Sequence, residues 1–484
     1  MQFIKKLYLC TLEVPHCTMK KSLIITTATL MLAACTTPEP YGPVPTEAQL
    51  AWQRMEINMF CHFGPNTFSG AEWGSGQEAG DLFAPTALDC RQWVDVATQA
   101  GMGGIILTAK HHDGFCLWPS KQSSHTVSDT LDVVQAFVDA CREHGVKPGV
   151  YISPWDRNHP TYGTDAYNDV FVNTLKEVHN NYGSFFEQWF DGACGEGPNG
   201  KKQHYDWPRF MQTMHDLNPQ AIIFSDIGPG CRWVGNEEGH AGETNWSTLT
   251  TEGATPSENK PNPSELETGH QNGTRWIPAE VDVSIRPGWF WHPDEHPKSV
   301  EELMEIYYSS VGRNGLLLLN VPPDTRGRIP AEDSAVLVAF RQERDRIFAT
   351  DLAQGAKAHA WHRFGHSAKN VLDTAYHTYW AALSKDPWIS IEMDSVTDFD
   401  IIVIQEYIPL GQRVTSVQLW TQAYDDLYPY TNIDNPLCTT VGYKRIIRCN
   451  DNPQHWSAKK IVLHFQGEAP PVINRIALYN TQAQ

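Results

Sequence analysis

The chain has 484 residues, of which 41% are hydrophobic, and this length is ample for a buried core and too long for one ordinary domain. Its formal net charge is −19, from 56 acidic and 37 basic residues, so the phosphate backbone of a nucleic acid would be repelled. The composition therefore predicts two domains, excludes nucleic acid as a partner and relates the charge to solubility.

A targeting segment is predicted at the amino end of the chain. Lys20 and Lys21 precede the apolar run 23–34, which ends at Cys35. A charged start, an apolar stretch too short to span a membrane stably and small residues before a cleavage point are typical of a signal peptide. Residues 32–35, Leu-Ala-Ala-Cys, resemble a bacterial lipobox, in which the cysteine is lipidated and becomes the new amino terminus.

This interpretation divides the first residues into three parts. Met19 is the expected start, residues 1–18 extend the reading frame upstream of it, and the signal peptide ends at Cys35. Residues 36–50, rich in Pro and Thr, are expected to form a tether. We therefore expect a protein anchored by lipid in the bacterial cell envelope, in the periplasm or on the outer-membrane surface, with no other membrane contact.

Residues 51–345 alternate between short apolar runs typical of β-strands and amphipathic stretches typical of helices. One helix is expected at 129–145, capped by Ser128 or Asp129 and ended by Gly145. Strand, helix and parallel strand, repeated about seven times, predict an α/β fold, a (β/α)8-like TIM barrel. An open doubly wound sheet is the alternative, but the glycine-rich phosphate loop that it would want is missing. The strand-like runs are 57–63, 104–109, 147–153, 185–191, 221–226, 277–284 and 315–321.

The pattern changes after about residue 345. A helix is expected at 331–350, and residues 346–484 then carry short β-like runs separated by polar turns, at the spacing of a β-sandwich. The cysteines beyond Cys35 show no CxxC pair, so neither a zinc knot nor a disulfide framework is indicated. Cys438 and Cys449 could bridge a hairpin.

Chemistry in such barrels sits at the carboxyl ends of the strands, and polar residues follow almost every run. His62 ends the first run, and Asp191 ends the fourth, in the stretch Trp-Phe-Asp-Gly. Because strand side chains alternate, Glu187, Trp189 and Asp191 should face the same way. If that face points into the barrel, Asp191 lies at the carboxyl end of the strand and Trp189 forms a floor beneath it.

The Gly-rich loop predicted at 231–246 offers two more carboxylates, Glu237 and Glu238. Two carboxylates in an aromatic, histidine-rich bowl are what glycoside cleavage needs: one attacks or stabilises the oxocarbenium-like centre, and the other protonates the leaving oxygen. A metal-dependent barrel hydrolase is a rival. His111 and His112 are adjacent, however, and neighbouring strand residues point to opposite faces, so the two should not share a metal without a bulge.

These residues resemble the motifs of glycoside hydrolase family 29, the retaining α-L-fucosidases. The resemblance covers nearly all of 50–345 with its motifs in the right order, and it implies a (β/α)8-like barrel, a C-terminal β-sandwich and an exo-acting enzyme without a metal or organic cofactor. In the second domain, 369–382 and 388–393 resemble discoidin-type, galactose-binding-like modules. The family motifs are His62-Phe63-Gly64, Glu72-Trp73, KHHDGFCLWPS at 110–120, Trp189-Phe190-Asp191-Gly192, CRWVGNEEG at 231–239 and SIRPGWFW at 284–291.

The resemblance also implies roles. Asp191 would be the nucleophile that forms a covalent fucosyl-enzyme, and Glu237 the general acid/base, with Glu238 as its rival. The Gly-Asn-Glu motif at 235–237 is similar to that of the subgroup that cleaves α-1,3- and α-1,4-linked fucose from Lewis-type branched glycans. The expected partner is thus a fucosylated oligosaccharide or glycoprotein glycan. Binding roles fall to His62, Glu72, Trp73, His111, His112, Tyr151, Trp189, Arg232 and Trp289.

Two alternatives stay open. One is a broad-specificity α-L-fucosidase that acts on simple aryl or α-1,2-linked fucosides. The other is a non-catalytic glycan-binding lipoprotein on a decayed barrel, which would be expected to have lost one of the two carboxylates.

Overall fold

The computed structural model describes residues 37–449 and 455–482. The predicted signal peptide, with Met19 and Cys35, lies outside these residues. Within them, no helix combines the length and apolar character that crossing a membrane requires. Part of the predicted tether belongs to the fold, because Thr46 caps a helix that begins at Glu47 and the backbone N–H of Tyr41 donates to the carbonyl of Leu410 at 3.0 Å.

Eight parallel strands close into a barrel in which each strand neighbours the next in chain order and the last pairs with the first. This architecture confirms the (β/α)8-like barrel and removes the open doubly wound sheet. The strands are β1 (Ile57–Cys61), β2 (Gly104–Lys110), β3 (Lys147–Ile152), β4 (Glu187–Trp189), β5 (Ile222–Ser225), β6 (Cys231–Trp233), β7 (Ala279–Ser284) and β8 (Leu316–Asn320).

Helices connect most of the strands and pack on the outside of the barrel. They are α1 (Glu47–Gln53), α2 (Asn66–Ser69), α3 (Cys90–Ala100), α4 (Val133–His144), α5 (Asp165–Tyr182), α6 (Trp207–Leu217), α7 (Pro263–Thr268), α8 (Val300–Ser309) and α9 (Ala331–Ile347). The cap predicted for α4 was wrong. Asp132 caps it by accepting from the N–H of Gln135 at 2.8 Å, whereas Ser128 lies in the preceding turn.

The sixth strand departs from the prediction of a loop over 231–246. β6 occupies the first three residues of that stretch and pairs with both neighbours, Cys231 beside Phe224 on β5 and Trp233 beside Glu280 on β7. No helix separates β5 from β6. Three residues are too few to show the alternation of apolar and polar side chains that predicts a strand from sequence. The position of β6 is set instead by its pairing with the strands on either side.

Side chains alternate between the inside and the outside of the barrel. On β1, Met59 and Cys61 pack outward against the helices, while Phe60 points inward. Trp189 lies with Phe60 and Tyr151 in the inner cluster, so the face predicted to point into the barrel does so. Asp191 therefore follows an inward-facing strand residue at the carboxyl end of β4.

The remainder of the chain forms two antiparallel sheets packed face to face around their own core. One sheet has the order β9-β11-β16-β13-β14 and the other β10-β17-β12-β15, which confirms the β-rich second region. Cys438 and Cys449 are both free and buried, so the possible bridge between them is not formed. The strands are β9 (Lys357–His359), β10 (Trp380–Ala381), β11 (Trp388–Phe399), β12 (Ile401–Glu406), β13 (Val414–Gln422), β14 (Tyr428–Pro429), β15 (Arg445–Arg448), β16 (Trp456–Gly467) and β17 (Val472–Tyr479).

The sandwich contacts the barrel at the amino end of β1. Glu56 accepts hydrogen bonds there from Tyr307 of α8, at 3.2 Å, and from Tyr443 of the sandwich, also at 3.2 Å, and it pairs with Lys444. The carboxyl ends of the strands open at the opposite end of the barrel.

Candidate active site

The carboxyl ends of the barrel strands surround an open bowl of aromatic and polar side chains. The His62 ring lies 5.1 Å from that of Trp289 and 5.7 Å from that of His111, and the His111 ring stacks at 5.7 Å on Tyr151. Most of the residues predicted from the sequence meet here. The bowl is formed by His62, Trp73, His111, His112, Tyr151, Trp189, Asp191, Glu237 and Trp289.

Asp191 is held by both of its carboxylate oxygens. Oδ1 accepts from the backbone N–H of Ala193 at 2.7 Å, which ties the side chain to the start of its own loop. Oδ2 accepts from the Tyr151 hydroxyl at 2.9 Å and lies 3.5 Å from Nε2 of His112. With 23% of the side chain exposed, the carboxylate is fixed in orientation and still open to a ligand.

The histidine beside Asp191 is uncharged near neutral pH. Burial lowers the pKa of His112 to about 4, although the charge of Asp191 opposes this. Its Nδ1 lies 2.8 Å from the Ser153 hydroxyl, which leaves Nε2 directed to Asp191. The 3.5 Å contact between His112 and Asp191 is thus not an ion pair at neutral pH, and the ring serves orientation rather than charge.

His62 is fixed in one tautomer. The amide N–H2 group of Asn320 donates to the Ser284 hydroxyl and to the carbonyl of Trp289, both at 2.8 Å, so Oδ1 of Asn320 is the acceptor. His62 Nδ1 lies 2.8 Å from that oxygen and must carry the proton. Because burial also lowers the pKa of His62 to about 3, Nε2 remains an acceptor that a sugar hydroxyl can use.

The prediction that the two adjacent histidines point to opposite faces was wrong. The rings of His111 and His112 lie 4.2 Å apart and both border the bowl. β2 ends at Lys110, and its pairing with β3 shifts between Thr108 and Lys110, so the chain leaves regular alternation before the pair. The geometric argument against a shared metal therefore fails.

Among residues 37–449 and 455–482, one cluster brings together three groups that could ligate a metal, Glu187, Cys231 and Glu280. All three are buried inside the barrel beneath the bowl. Within the described residues, the histidines of the bowl have no third side chain placed to complete a metal site. The bowl is therefore built from hydrogen-bonding and stacking groups.

Trp189 forms the inner floor of the bowl, as predicted. Its indole stacks on Phe224 at 3.9 Å with the planes 8° apart, and it lies 5.1 Å from the Tyr151 ring. Its N–H donates downward to Oε1 of Glu280 at 2.8 Å. The indole is 6% exposed and packed between other rings, so it supports the bowl from below with its N–H satisfied.

Glu237 and Trp289 form the opposite side of the bowl. The indole N–H of Trp289 donates to Oε2 of Glu237 at 3.1 Å. Loss of hydration raises the pKa of the Glu237 carboxyl, the negative charges of Asp191 and Glu72 raise it further, and the bond from Trp289 opposes them. A carboxyl of this kind holds a proton to higher pH than an ordinary glutamate does.

Glu72 acts on this side through the loop that carries Trp289. Its Oε2 accepts from the backbone N–H of Trp289 at 2.8 Å, and its Oε1 lies 2.6 Å from Nε2 of His292. Trp73, the next residue, is 60% exposed at the rim, with its ring 6.1 Å from that of His112. Glu72 thus places Trp289, and Trp73 offers an open aromatic face.

Glu238, the rival acid, points elsewhere. Its side chain is 80% exposed and pairs with His240 at 3.2 Å, while its backbone N–H donates to Oδ1 of Asn236. No contact joins it to Asp191 or Trp289 among the described residues. Of the two neighbouring glutamates, only Glu237 belongs to the bowl.

Arg232 corrects the sequence prediction, because it does not line the bowl. It lies on β6 with its side chain wholly buried. Nε donates to the carbonyl of Leu266 at 2.8 Å, Nη1 to that of Ile277, and Nη2 to Oδ1 of Asn245 at 2.9 Å. The guanidinium therefore fixes the loops around β6 and has no open face for a substrate.

Sequence reasoning missed one more carboxyl in this region, Asp282 on β7. It is 3% exposed, and its Oδ1 has no hydrogen-bond partner among the described residues. Burial raises its pKa well above the ordinary value, and the charges of Glu237 and Asp191 add to the effect. The alternation Glu280, Asp282, Ser284 against outward Val281 and Val283 was the signal that could have identified it.

Comparisons with known proteins agree with this geometry. The α-L-fucosidase family model matches residues 42–342. The chain is 40% identical over 456 residues to α-L-fucosidase 1 of Arabidopsis thaliana, which covers 91% of this chain and 88% of the plant protein. A putative α-L-fucosidase from Bacteroides thetaiotaomicron superposes with a TM-score of 0.84 at 36% identity, over 92% of this chain and 99% of that one. A Ruminococcus gnavus family 29 fucosidase in complex with fucose gives 0.83 at 30% identity, over 92% and 96%.

Proposed function

The chain belongs to the α-L-fucosidase family, glycoside hydrolase family 29, and we propose that it removes terminal α-1,3- or α-1,4-linked fucose from Lewis-type branched glycans with retention of configuration. Its activity as an α-L-fucosidase on a fucosylated glycan follows from family membership. The linkage, the stereochemistry and the roles of individual residues are the proposal.

The observation that carries the proposal is the unequal environment of two carboxyls on one bowl. Asp191 is anchored by Ala193 and Tyr151 and remains partly open. Glu237 has a raised pKa for which the charge of Asp191 is one cause. A nucleophile that stays ionised beside an acid that starts protonated is the division of labour that glycoside cleavage requires.

The first step of the proposed reaction forms a covalent intermediate. The Asp191 carboxylate attacks the anomeric carbon of fucose while the glycosidic C–O bond breaks, and Glu237 gives its proton to the departing oxygen. The product is a fucosyl-enzyme ester on Asp191 and a free glycan hydroxyl. Glu237 is now a carboxylate.

The second step regenerates the enzyme. Glu237 takes a proton from a water molecule, the water oxygen attacks the anomeric carbon, and the ester bond to Asp191 breaks. Two inversions at one carbon give net retention. His62 and His112, neutral over the working range, can hold sugar hydroxyls in both steps without changing charge.

The linkage preference is supported by the Gly-Asn-Glu motif at 235–237, which contains the residue assigned as the acid. Asn236 orders this loop, since its amide donates to the carbonyl of His240 and to Oε1 of Glu267, both at 3.0 Å. A broad-specificity α-L-fucosidase is the alternative. The non-catalytic alternative is disfavoured because both carboxyls are present at the bowl.

Fucose release from three kinds of substrate tests the linkage. Lewis-a or Lewis-x trisaccharide, 2′-fucosyllactose and an aryl fucoside are compared for the wild type, Asp191→Ala, Glu237→Gln and the matched control Glu238→Gln. We expect release from the Lewis sugars alone, loss in the first two variants and near-normal rates in the control. Release from all three substrates would assign the broad class, and full activity of Glu237→Gln would refute the assigned acid.

We also propose, from the lipobox-like residues 32–35, that Cys35 is lipidated and tethers the enzyme to the bacterial cell envelope. Intact-mass measurement of the membrane fraction from cells that express the full chain, beside Cys35→Ser, tests this. A lipid mass that the variant lacks supports it, and an unmodified wild-type protein recovered without the membrane contradicts it.

A further inference from the structure

Two glutamates face each other inside the barrel, directly beneath the bowl. Glu187 begins β4 and Glu280 lies on β7, and both are fully buried. One oxygen of each carboxyl and the sulfur of Cys231 all lie within 4.8 Å of one another, and Oε2 of Glu280 is buried without a hydrogen-bond partner among the described residues. Within the described part of the chain, neither glutamate pairs with a lysine, arginine or histidine.

Elementary electrostatics limits the charge that this pair can carry. A carboxylate has no donor, so a hydrogen bond between two carboxyls requires at least one of them to hold a proton. Two negative charges this close in an interior without a counter-ion would repel strongly, and each would lose its hydration. Burial raises the pKa of both groups, and Asp282, further along β7, adds to the effect on Glu280.

The pair is joined to the bowl through Trp189. Oε1 of Glu280 accepts from the indole N–H of Trp189 at 2.8 Å, and Oε2 of Glu187 accepts from that of Trp52 in α1, also at 2.8 Å. Trp189 packs against Tyr151, whose hydroxyl donates to Asp191. A continuous set of contacts therefore runs from the carboxyl pair to the proposed nucleophile.

We propose that Glu187 and Glu280 share one proton, and that the pair is a positioning device which holds Trp189, and through it Tyr151 and Asp191, in the geometry that the reaction needs. The positioning part rests on the role proposed for Asp191. The sharing of a proton does not, and it can be tested without an activity assay.

A divalent cation held by Glu187, Cys231 and Glu280 is the competing occupant. Two of the carboxylate oxygens already accept indole N–H groups, and the Cys231 thiol lies 3.6 Å from Oε1 of Glu187 as a donor. Three of the four carboxylate oxygens of the pair thus already accept a hydrogen bond, and burial raises the pKa of the thiol well above its ordinary value. These contacts favour the proton.

Glutamine and leucine at position 280 separate positioning from simple packing. In Glu280→Gln the amide oxygen can still accept from Trp189, and the amide N–H can donate to Glu187, as the shared proton does. Glu280→Leu removes both bonds. Leu316→Ala is the matched control. Leu316 is the neighbour of Glu280 on β8 and lines the same interior, but its side chain has no polar atom that could accept from an indole N–H group.

The expected result is a rescue by the conservative variant. We expect kcat/KM of Glu280→Gln within about threefold of the wild type, and a loss of about tenfold or more, mainly in kcat, for Glu280→Leu. Leu316→Ala should lower the thermal midpoint with kcat little changed. Equal losses in the glutamine and leucine variants, or full activity of the leucine variant, would overturn the positioning role.

Infrared spectra and metal content, measured on normally folded protein, test whether Glu187 and Glu280 share a proton. The wild type at neutral pH should show a carboxylic-acid C=O band that weakens in both Glu187→Gln and Glu280→Gln, and the purified protein should contain no stoichiometric divalent metal. An unchanged band in both variants would overturn the shared proton. So would one metal ion per chain that is lost in Glu280→Gln.

Discussion

The indole nitrogen of Trp289 lies 3.1 Å from Oε2 of Glu237, and this bond lowers the pKa of the proposed acid. Loss of hydration and the charges of Asp191 and Glu72 act in the other direction. Trp289 therefore limits how far the acid is perturbed, while its ring forms part of the wall that a sugar would contact.

Trp289→Phe should extend activity to higher pH. Without the indole N–H the pKa of Glu237 rises further, and a general acid works only while it is protonated, so the alkaline limb of kcat/KM should move upward in pH. Profiles of kcat/KM against pH for wild type and variant measure this. Trp73→Phe is the control, since no contact joins Trp73 to Glu237 among the described residues, and the alkaline limb of this variant should stay in place. An alkaline limb that moves to lower pH in Trp289→Phe would contradict this role of Trp289.

Tyr151→Phe should reduce turnover without unfolding the protein. The lost hydrogen bond to Asp191 is charge-assisted and worth about 1.5–3 kcal/mol, so kcat/KM should fall roughly tenfold to hundredfold. Steady-state kinetics on a fucoside substrate checks this. Tyr162→Phe is the matched control, because it removes a hydroxyl that lies 3.0 Å from that of Tyr205 and does not contact Asp191. An equally large loss of kcat/KM in Tyr162→Phe would show that the loss in Tyr151→Phe is not specific to the bond with Asp191.

Asp282→Asn should make the protein less sensitive to alkaline pH. Because burial and nearby charges raise the pKa of Asp282, the folded state binds more protons than the unfolded state, and stability falls as pH rises above the ordinary carboxyl range. Asparagine does not ionise, so the variant lacks this loss of stability at high pH. The difference in thermal midpoint, variant minus wild type, should therefore be more positive at pH 8 than at pH 5. A difference that does not change with pH would show that Asp282 is already ionised in the native protein.

Arg286→Met should destabilise the protein through α9. The guanidinium is wholly buried and contacts both oxygens of Asp333, at 2.9 and 2.7 Å, and its removal leaves a buried carboxylate unpaired. The free energy of unfolding should fall by about 3–5 kcal/mol. Arg91→Met breaks an exposed pair with Glu143, at 2.8 Å, and should cost about 0–1 kcal/mol, so equal losses in urea unfolding would contradict the distinction.

The long strands and the architecture were predictable because their signals are local. Apolar runs such as 315–321 mark buried parallel strands, and the match to β8 is within one residue at either end. β6 was not predictable, since three residues carry no period and its pairing depends on Phe224 and Glu280 in other strands.

The members of the site were easier to predict than their directions. Asp191 and Trp189 follow strict alternation on β4, so their shared face was correct. His111 and His112 lie past an irregular end of β2, where alternation no longer applies. Arg232 and the choice between Glu237 and Glu238 depend on contacts with distant residues, Asn245 and Trp289, that no local pattern encodes.

Trapping of the covalent intermediate tests the central claim most directly. The enzyme is incubated with a 2-deoxy-2-fluoro fucosyl fluoride, which slows the second step, and the protein is then digested and sequenced by mass spectrometry. A retaining mechanism through Asp191 predicts one 2-deoxy-2-fluorofucosyl adduct per chain on Asp191, none in Asp191→Ala, and an α-configured first product by NMR with an ordinary substrate. An adduct on another residue, or a β-configured first product, would contradict a retaining mechanism through Asp191.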